Sequence, residues 1–222
     1  MKRQELIETN PLRLISPSDG GMVAGRHLAL VKSSAGVGKT AILVQIALDK
    51  LLRGEHVVHI GINEQLNNIK LWYSHAFGAQ ARQVELAEPD KVEGETMDRR
   101  LLMTFMAENF SPARLAERLD GLSRHGISLP DCVVIDGLAA QGTESAAIFA
   151  ELRAYAQERN ITLWLSCLDL ASKVKEQADT VLELQDSSGG TISLSVVKDD
   201  AGYAEEGAAM RLDPQTLTLF RC

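Results

Sequence analysis

Leu28-Ala29-Leu30-Val31-Lys32-Ser33-Ser34-Ala35-Gly36-Val37-Gly38-Lys39-Thr40 passes from an apolar, strand-like run through small residues into Gly-Lys-Thr. That is the pattern of a phosphate-binding loop opening a helix. Each residue type has a task at this spacing. Small residues from Ser34 through Ala35, Gly36, Val37 and Gly38 let successive backbone N–H groups curl around phosphate oxygens. Lys39 reaches the terminal phosphates, and the Thr40 hydroxyl is a ligand for Mg²⁺. The first glycine usual in such loops is replaced by Ser33, where a small residue still fits. These residues point to binding of a nucleoside triphosphate.

Working outward, Ile42, Leu43, Ile46, Ala47, Lys50 and Leu51 recur at helical spacing up to a stop at Gly54. Residues 56–62 read as a buried strand ending at Asn63 and Glu64. A helix is expected over 65–77, with Leu66, Ile69, Tyr73, Ala76 and Phe77 on its core stripe. Residues 85–98 carry six carboxylates against the single Lys91, with Pro89 and Gly94, and read as a solvated connection. Residues 101–106 read as a third strand, with helix as the alternative for so short an apolar run. Ser111 before Pro112 is an N-cap followed by a first-turn proline, starting a helix to about residue 124.

Residues 132–136 form a further apolar run closing on Asp136, 144–157 a helix, and 161–165 another buried strand leading to Ser166 and Cys167. After that the pattern is β: 180–184, a turn at 187–190, then 191–197 and 216–220. The alternation predicts an α/β fold of three layers, a mainly parallel central sheet flanked by helices with antiparallel C-terminal strands. Ligands in such folds gather at the carboxyl ends of the strands, where Gly38, Glu64, Asp136 and Ser166 all fall.

With 222 residues and 45% hydrophobic content, one well-cored domain is expected, preceded by an N-terminal segment over 1–20 that is flexible or packs on a neighbour. A net charge of −7 argues against a nucleic-acid grip that relies on counterion release. The start leads into no apolar signal region, and no run of about 18 apolar residues could span a membrane, so a cytoplasmic location is expected. Cys132, Cys167 and Cys222 form no Cys-x-x-Cys pair and read as reduced, mainly packing thiols. His56 and His59 lie three apart in a strand, point to opposite faces and cannot share a metal.

The order of parts resembles the RecA-like ATPase superfamily, and within it the KaiC-like, RadA-like and DnaB-like branch. The likeness rests on Val37 to Thr40, on Gly54-Glu55-His56-Val57-Val58 leading to Glu64, on Val134-Ile135-Asp136, and on Ala178 to Leu184. It implies ATP as the nucleotide and Mg²⁺ held by Thr40 and Asp136. Glu64 would be the residue that polarises the attacking water, and Ser166 the polar group that senses the γ-phosphate. It also implies a homo-oligomer, ring or filament, with an unknown protein partner. In that superfamily a Lys-x-Arg segment reaches into a neighbour's site; here Asp200 stands where the arginine would be, leaving Lys198 as the trans-acting cation.

Two other nucleotide classes fit less well. The ParA- and MinD-like class carries a second lysine early in its loop, where this chain has Ser34, and Asp136 begins no Asp-x-x-Gly because residue 139 is Ala139. A GTPase needs an Asn-Lys-x-Asp segment, and the sequence contains none. The expected activity is slow, Mg²⁺-dependent ATP hydrolysis that changes assembly or partner contacts. A non-hydrolysing ATP-binding module is the alternative, and a DNA-remodelling protein a weaker one.

Overall fold

The structure is a computed structural model and describes residues 2–15, 26–138, 143–168, 172–187, 191–200, 202, 209–213 and 219–221. In chain order α1 (Lys2–Glu8) and a 3-10 turn (Pro11–Leu14) precede β1 (Leu28–Lys32), α2 (Lys39–Leu52), β2 (Val57–Ile62) and α3 (Leu66–Gln83). Then come α4 (Pro89–Met97), β3 (Arg100–Phe105), α5 (Pro112–Arg124), β4 (Cys132–Asp136), α6 (Thr143–Arg159) and β5 (Thr162–Cys167). The chain continues with α7 (Ser172–Gln177), β6 (Thr180–Ser187), β7 (Thr191–Asp199), β8 (Ala209–Leu212) and β9 (Leu219–Arg221).

The nine strands among the described residues join one sheet in the order β3-β2-β4-β5-β1-β6-β7-β8-β9. The first six are parallel, and β6 to β9 pair antiparallel, as the α/β pattern requires. Period-2 side chains of doubly covered strands must be apolar on both faces. In β1, Ala29 and Val31 enter the layer under α2 and α3, whereas Leu28 and Leu30 enter the layer under α5, α6 and α7. Trp164 of β5, fully buried between Val134 and Ala29 in register, fills the first layer.

Helix α2 is buried on every side from Ala41 to Leu52, including the polar Gln45, Asp49 and Lys50. Its outer side is covered by the N-terminal segment, which therefore packs on its own chain over the described part. The Arg3 guanidinium donates to the Leu51 and Leu52 carbonyls. Asp49, 3% exposed at its side chain, is held by Arg13 at 3.2 Å, Arg53 at 2.9 Å and the Asn10 amide at 3.1 Å. Burial pushes the Asp49 carboxyl up, and Arg13 opposes that shift.

Four expectations need correction. Residues 85–98 are not a mere connection: Pro89 opens α4, which turns Val92 and Met97 toward Phe77 and Leu52 while Asp90 and Glu95 face water and Glu93 accepts from the Ser74 hydroxyl at 2.9 Å. Helix α3 runs six residues beyond residue 77, and its buried positions are Ile69, Tyr73, Phe77, Gln80 and Ala81; Leu66 is 42% exposed instead. The stretch after β5 contains the short α7, and β8 is an additional strand. The turn at 187–190 falls mostly outside the described residues, as do Cys222 and the start of the strand expected over 216–220. Cys132 and Cys167 are buried and form no disulfide, and burial pushes the Cys132 thiol up to about 12.

Ser111 caps α5 as its sequence predicts, accepting from the Arg114 amide at 3.2 Å. Ser111→Ala is expected to cost about 1 kcal/mol in urea unfolding, the usual value of a lost N-cap. Unchanged stability would show that the cap bond adds nothing here.

Candidate functional site

The loop after β1 turns sharply into α2. Gly36 and Gly38 both take left-handed backbone, with φ of 79° and 96°. At Gly38 a Cβ would lie 2.9 Å from a Leu212 methyl of β8, which would have to move aside, so the left-handed backbone is the stronger reason for glycine there. Ser34, Ala35 and Gly36 are exposed, while Val37 and Gly38 are half-buried against the C-terminal strands. Among the described residues no carbonyl outside the loop's own turn at Ala35–Gly36 accepts from the amides of Ser34 to Thr40. A row of such N–H groups at the start of a 14-residue helix is a concentration of partial positive charge.

Lys39 folds over this loop. Its ammonium donates to the Ser33 carbonyl at 3.0 Å, the Ser33 hydroxyl at 3.2 Å and the Ser34 carbonyl at 2.7 Å. Ser33, which occupies the place of the usual glycine, thus supplies two of the three acceptors. Desolvation lowers the Lys39 pKa, and the negative charge of Asp136 works against that shift.

Asp136 ends β4 on the α2 side of the sheet. Its Oδ2 accepts from the Thr40 hydroxyl at 2.5 Å, across 96 residues of sequence, and its Oδ1 from the Ser166 hydroxyl at 2.6 Å. Lys39, Thr40, Asp136 and Ser166 line one cleft of about 510 Å³. Glu64 lines it too, from the end of β2. One Glu64 oxygen, Oε1, takes both the Gln65 amide at 2.8 Å and the Asn68 side-chain amide at 2.7 Å.

Lys198 is not in this cleft. It donates to the Ala178 carbonyl at 2.6 Å just past α7, and pairs at 2.8 Å with Asp200, the residue standing in the arginine position. The lysine and the substitution beside it are therefore one local contact.

Sequence reasoning missed three contributors. Ser33 was passed over as a tolerated replacement. Trp72 is half-buried and forms part of the cleft wall, although Ile69, Trp72, Tyr73 and Ala76 already satisfied helical spacing. Cys167 lines the cleft beside Ser166 while its thiol donates to the Val31 carbonyl. The two histidines do point apart: His56 is exposed near Asp131, and His59 is fully buried with Nδ1 3.0 Å from the Tyr73 hydroxyl.

Mg²⁺ takes hard oxygen donors and is commonly held by one or two carboxylates together with substrate phosphates. Thr40 Oγ1 and Asp136 Oδ2 are donors of that kind, already adjacent. Among the described residues no group of three or more His, Cys, Asp or Glu could form an all-protein cage. No helix among them is long and apolar enough to cross a membrane. No protein-family model matches the chain, and a comparison with curated proteins finds no match.

Proposed function

We propose that this chain is a RecA-like, ATP-binding protein of the KaiC-like, RadA-like and DnaB-like kind, which hydrolyses ATP slowly and uses the cycle to change its own assembly or its contact with a protein partner. One observation carries the reading: a phosphate-sized amide loop with its lysine and hydroxyl, and a carboxylate 2.5 Å from that hydroxyl, converge on one cleft from two parts of the chain 96 residues apart. A structural salt bridge or a capped turn needs no such convergence. The position of β5, interposed between β1 and β4, brings Ser166 to the same edge of the sheet as the loop and Asp136.

In this reading the amides of Ser34 to Thr40 bind phosphate oxygens, and Lys39 exchanges its carbonyl partners for the terminal phosphates. Thr40 and Asp136 hold Mg²⁺, which when bound neutralises charge on the phosphates. Glu64 uses the oxygen not engaged by Gln65 and Asn68 to accept the proton of an attacking water. The half-buried Trp72 forms part of the wall of the same cleft.

The test is Mg²⁺-dependent phosphate release by the purified chain, compared with Glu64→Gln. Wild-type protein is expected to turn over, and Glu64→Gln to lose about 10²-fold in kcat while binding ATP as tightly. Full activity in Glu64→Gln would remove the base assignment.

The second reading is a module that binds ATP without turnover. The cis contacts of Lys198 favour it, since a lysine committed to Ala178 and Asp200 must break both to serve a neighbouring subunit. Turnover of about 1 per second or more, in the range of ordinary enzymes, would exclude it.

A further inference from the structure

The clamp at the ends of β4 and β5 has a definite proton inventory. Ile135 pairs with Leu165, so Asp136 and Ser166 occupy the next rung. A serine hydroxyl has one proton and two lone pairs. The Ser166 proton goes to Asp136 Oδ1 at 2.6 Å, and one lone pair accepts from the Gly137 amide at 2.8 Å. Ser166 is 1% exposed, so water does not compete for either bond.

Gly137 makes the second bond possible. Its φ of 86° lies in the left-handed region, and a Cβ there would meet the Ile62 carbonyl at 2.8 Å. Only glycine lets the chain leave β4 with that N–H aimed at Ser166. The two carboxylate oxygens of Asp136 are thereby divided: Oδ1 faces β5, and Oδ2 faces Thr40. Terminal rotation of an aspartate carboxylate is otherwise broad and two-fold, so a bond at Oδ1 removes that freedom.

Resting on the nucleotide reading above, we infer that Ser166 is a positioning residue that locks Asp136 for the divalent cation and does not itself contact phosphate. A hydroxyl whose single proton is committed to a carboxylate offers an anionic phosphate only its remaining lone pair, which repels it. This role differs from that of a γ-phosphate sensor, which must donate.

The experiment measures affinity of the full chain for a fluorescent ATP analogue, in EDTA and in excess MgCl₂, alongside thermal unfolding. Ser166→Ala is expected to leave metal-free affinity unchanged and to cut the gain from Mg²⁺ by about tenfold, the cost of one lost charge-assisted hydrogen bond. Ser166→Thr, which keeps the hydroxyl, is expected to restore that gain. Should Ser166→Ala not fold, Ser166→Cys, with a weaker donor of similar size, gives the same readout. Equal weakening with and without metal would assign Ser166 to the phosphate and overturn the inference, as would wild-type behaviour in both conditions. Failure of the wild-type chain to bind the analogue in either condition would overturn the nucleotide reading itself, before any substitution is compared.

Discussion

Lys39→Ala is expected to weaken ATP binding by about 10- to 100-fold, the usual worth of a hydrogen bond from a charged donor. It is also expected to lower phosphate release by about 10²- to 10³-fold, as loss of a donor aimed at developing charge does. The ammonium sits on three oxygens of its own loop, at 2.7 to 3.2 Å, and no other lysine or arginine lines the cleft among the described residues. Removing it leaves the loop amides in place, so residual binding should persist at high nucleotide concentration. Circular dichroism is expected to be unchanged, because alanine is a good helix residue at the start of α2. Isothermal titration and a phosphate assay read the two effects. Wild-type affinity in Lys39→Ala would place the nucleotide elsewhere.

Acid is expected to destabilise the chain through His59 by about 3 kcal/mol. The ring is fully buried between β2 and α3, touches Tyr73 edge-on at 5.6 Å, and has no partner for Nε2 among the described residues. Burial lowers its pKa from 6.5 to about 4; Asp136 pulls the other way, and the Arg100 guanidinium, stacked 4.4 Å over Tyr73, adds to the lowering. The unfolded chain therefore takes up a proton near pH 6.5 that the folded chain refuses until about pH 4. Stability is complete above the first value and falls as the pH drops toward the second. Urea unfolding at neutral pH and near pH 4.5 checks this. His59→Leu is expected to lack that part of the pH dependence, which separates it from the carboxylates. Parallel stability curves for the two proteins would show that the buried ring is protonated as readily as a free one.

Much of the site was legible in the sequence because its parts are local signals. Gly36, Gly38, Lys39 and Thr40 sit together within five positions, and Asp136 closes an uninterrupted apolar run. The loop-to-helix turn follows from those small residues, whereas the strand order that brings Asp136 to Thr40 is a property of the folded sheet. By contrast, α4 carries only a few apolar residues among many acids, too few for periodicity to show. Leu66 fits the spacing of a core stripe but is the first residue of α3 and stays 42% exposed.

Composition and spacing alone thus determined the α/β class, the parallel sheet and the residues facing its carboxyl edge, because these depend on period, small-residue turns and the direction of the chain. Only the tertiary structure decided how those residues spend their hydrogens. Ser33 serves Lys39, Ser166 gives its proton to Asp136, and Lys198 closes on Ala178 and Asp200. A hydrogen bond is made over about 3 Å between atoms that can be 100 residues apart, and its direction is settled by which donor and acceptor the packing brings face to face.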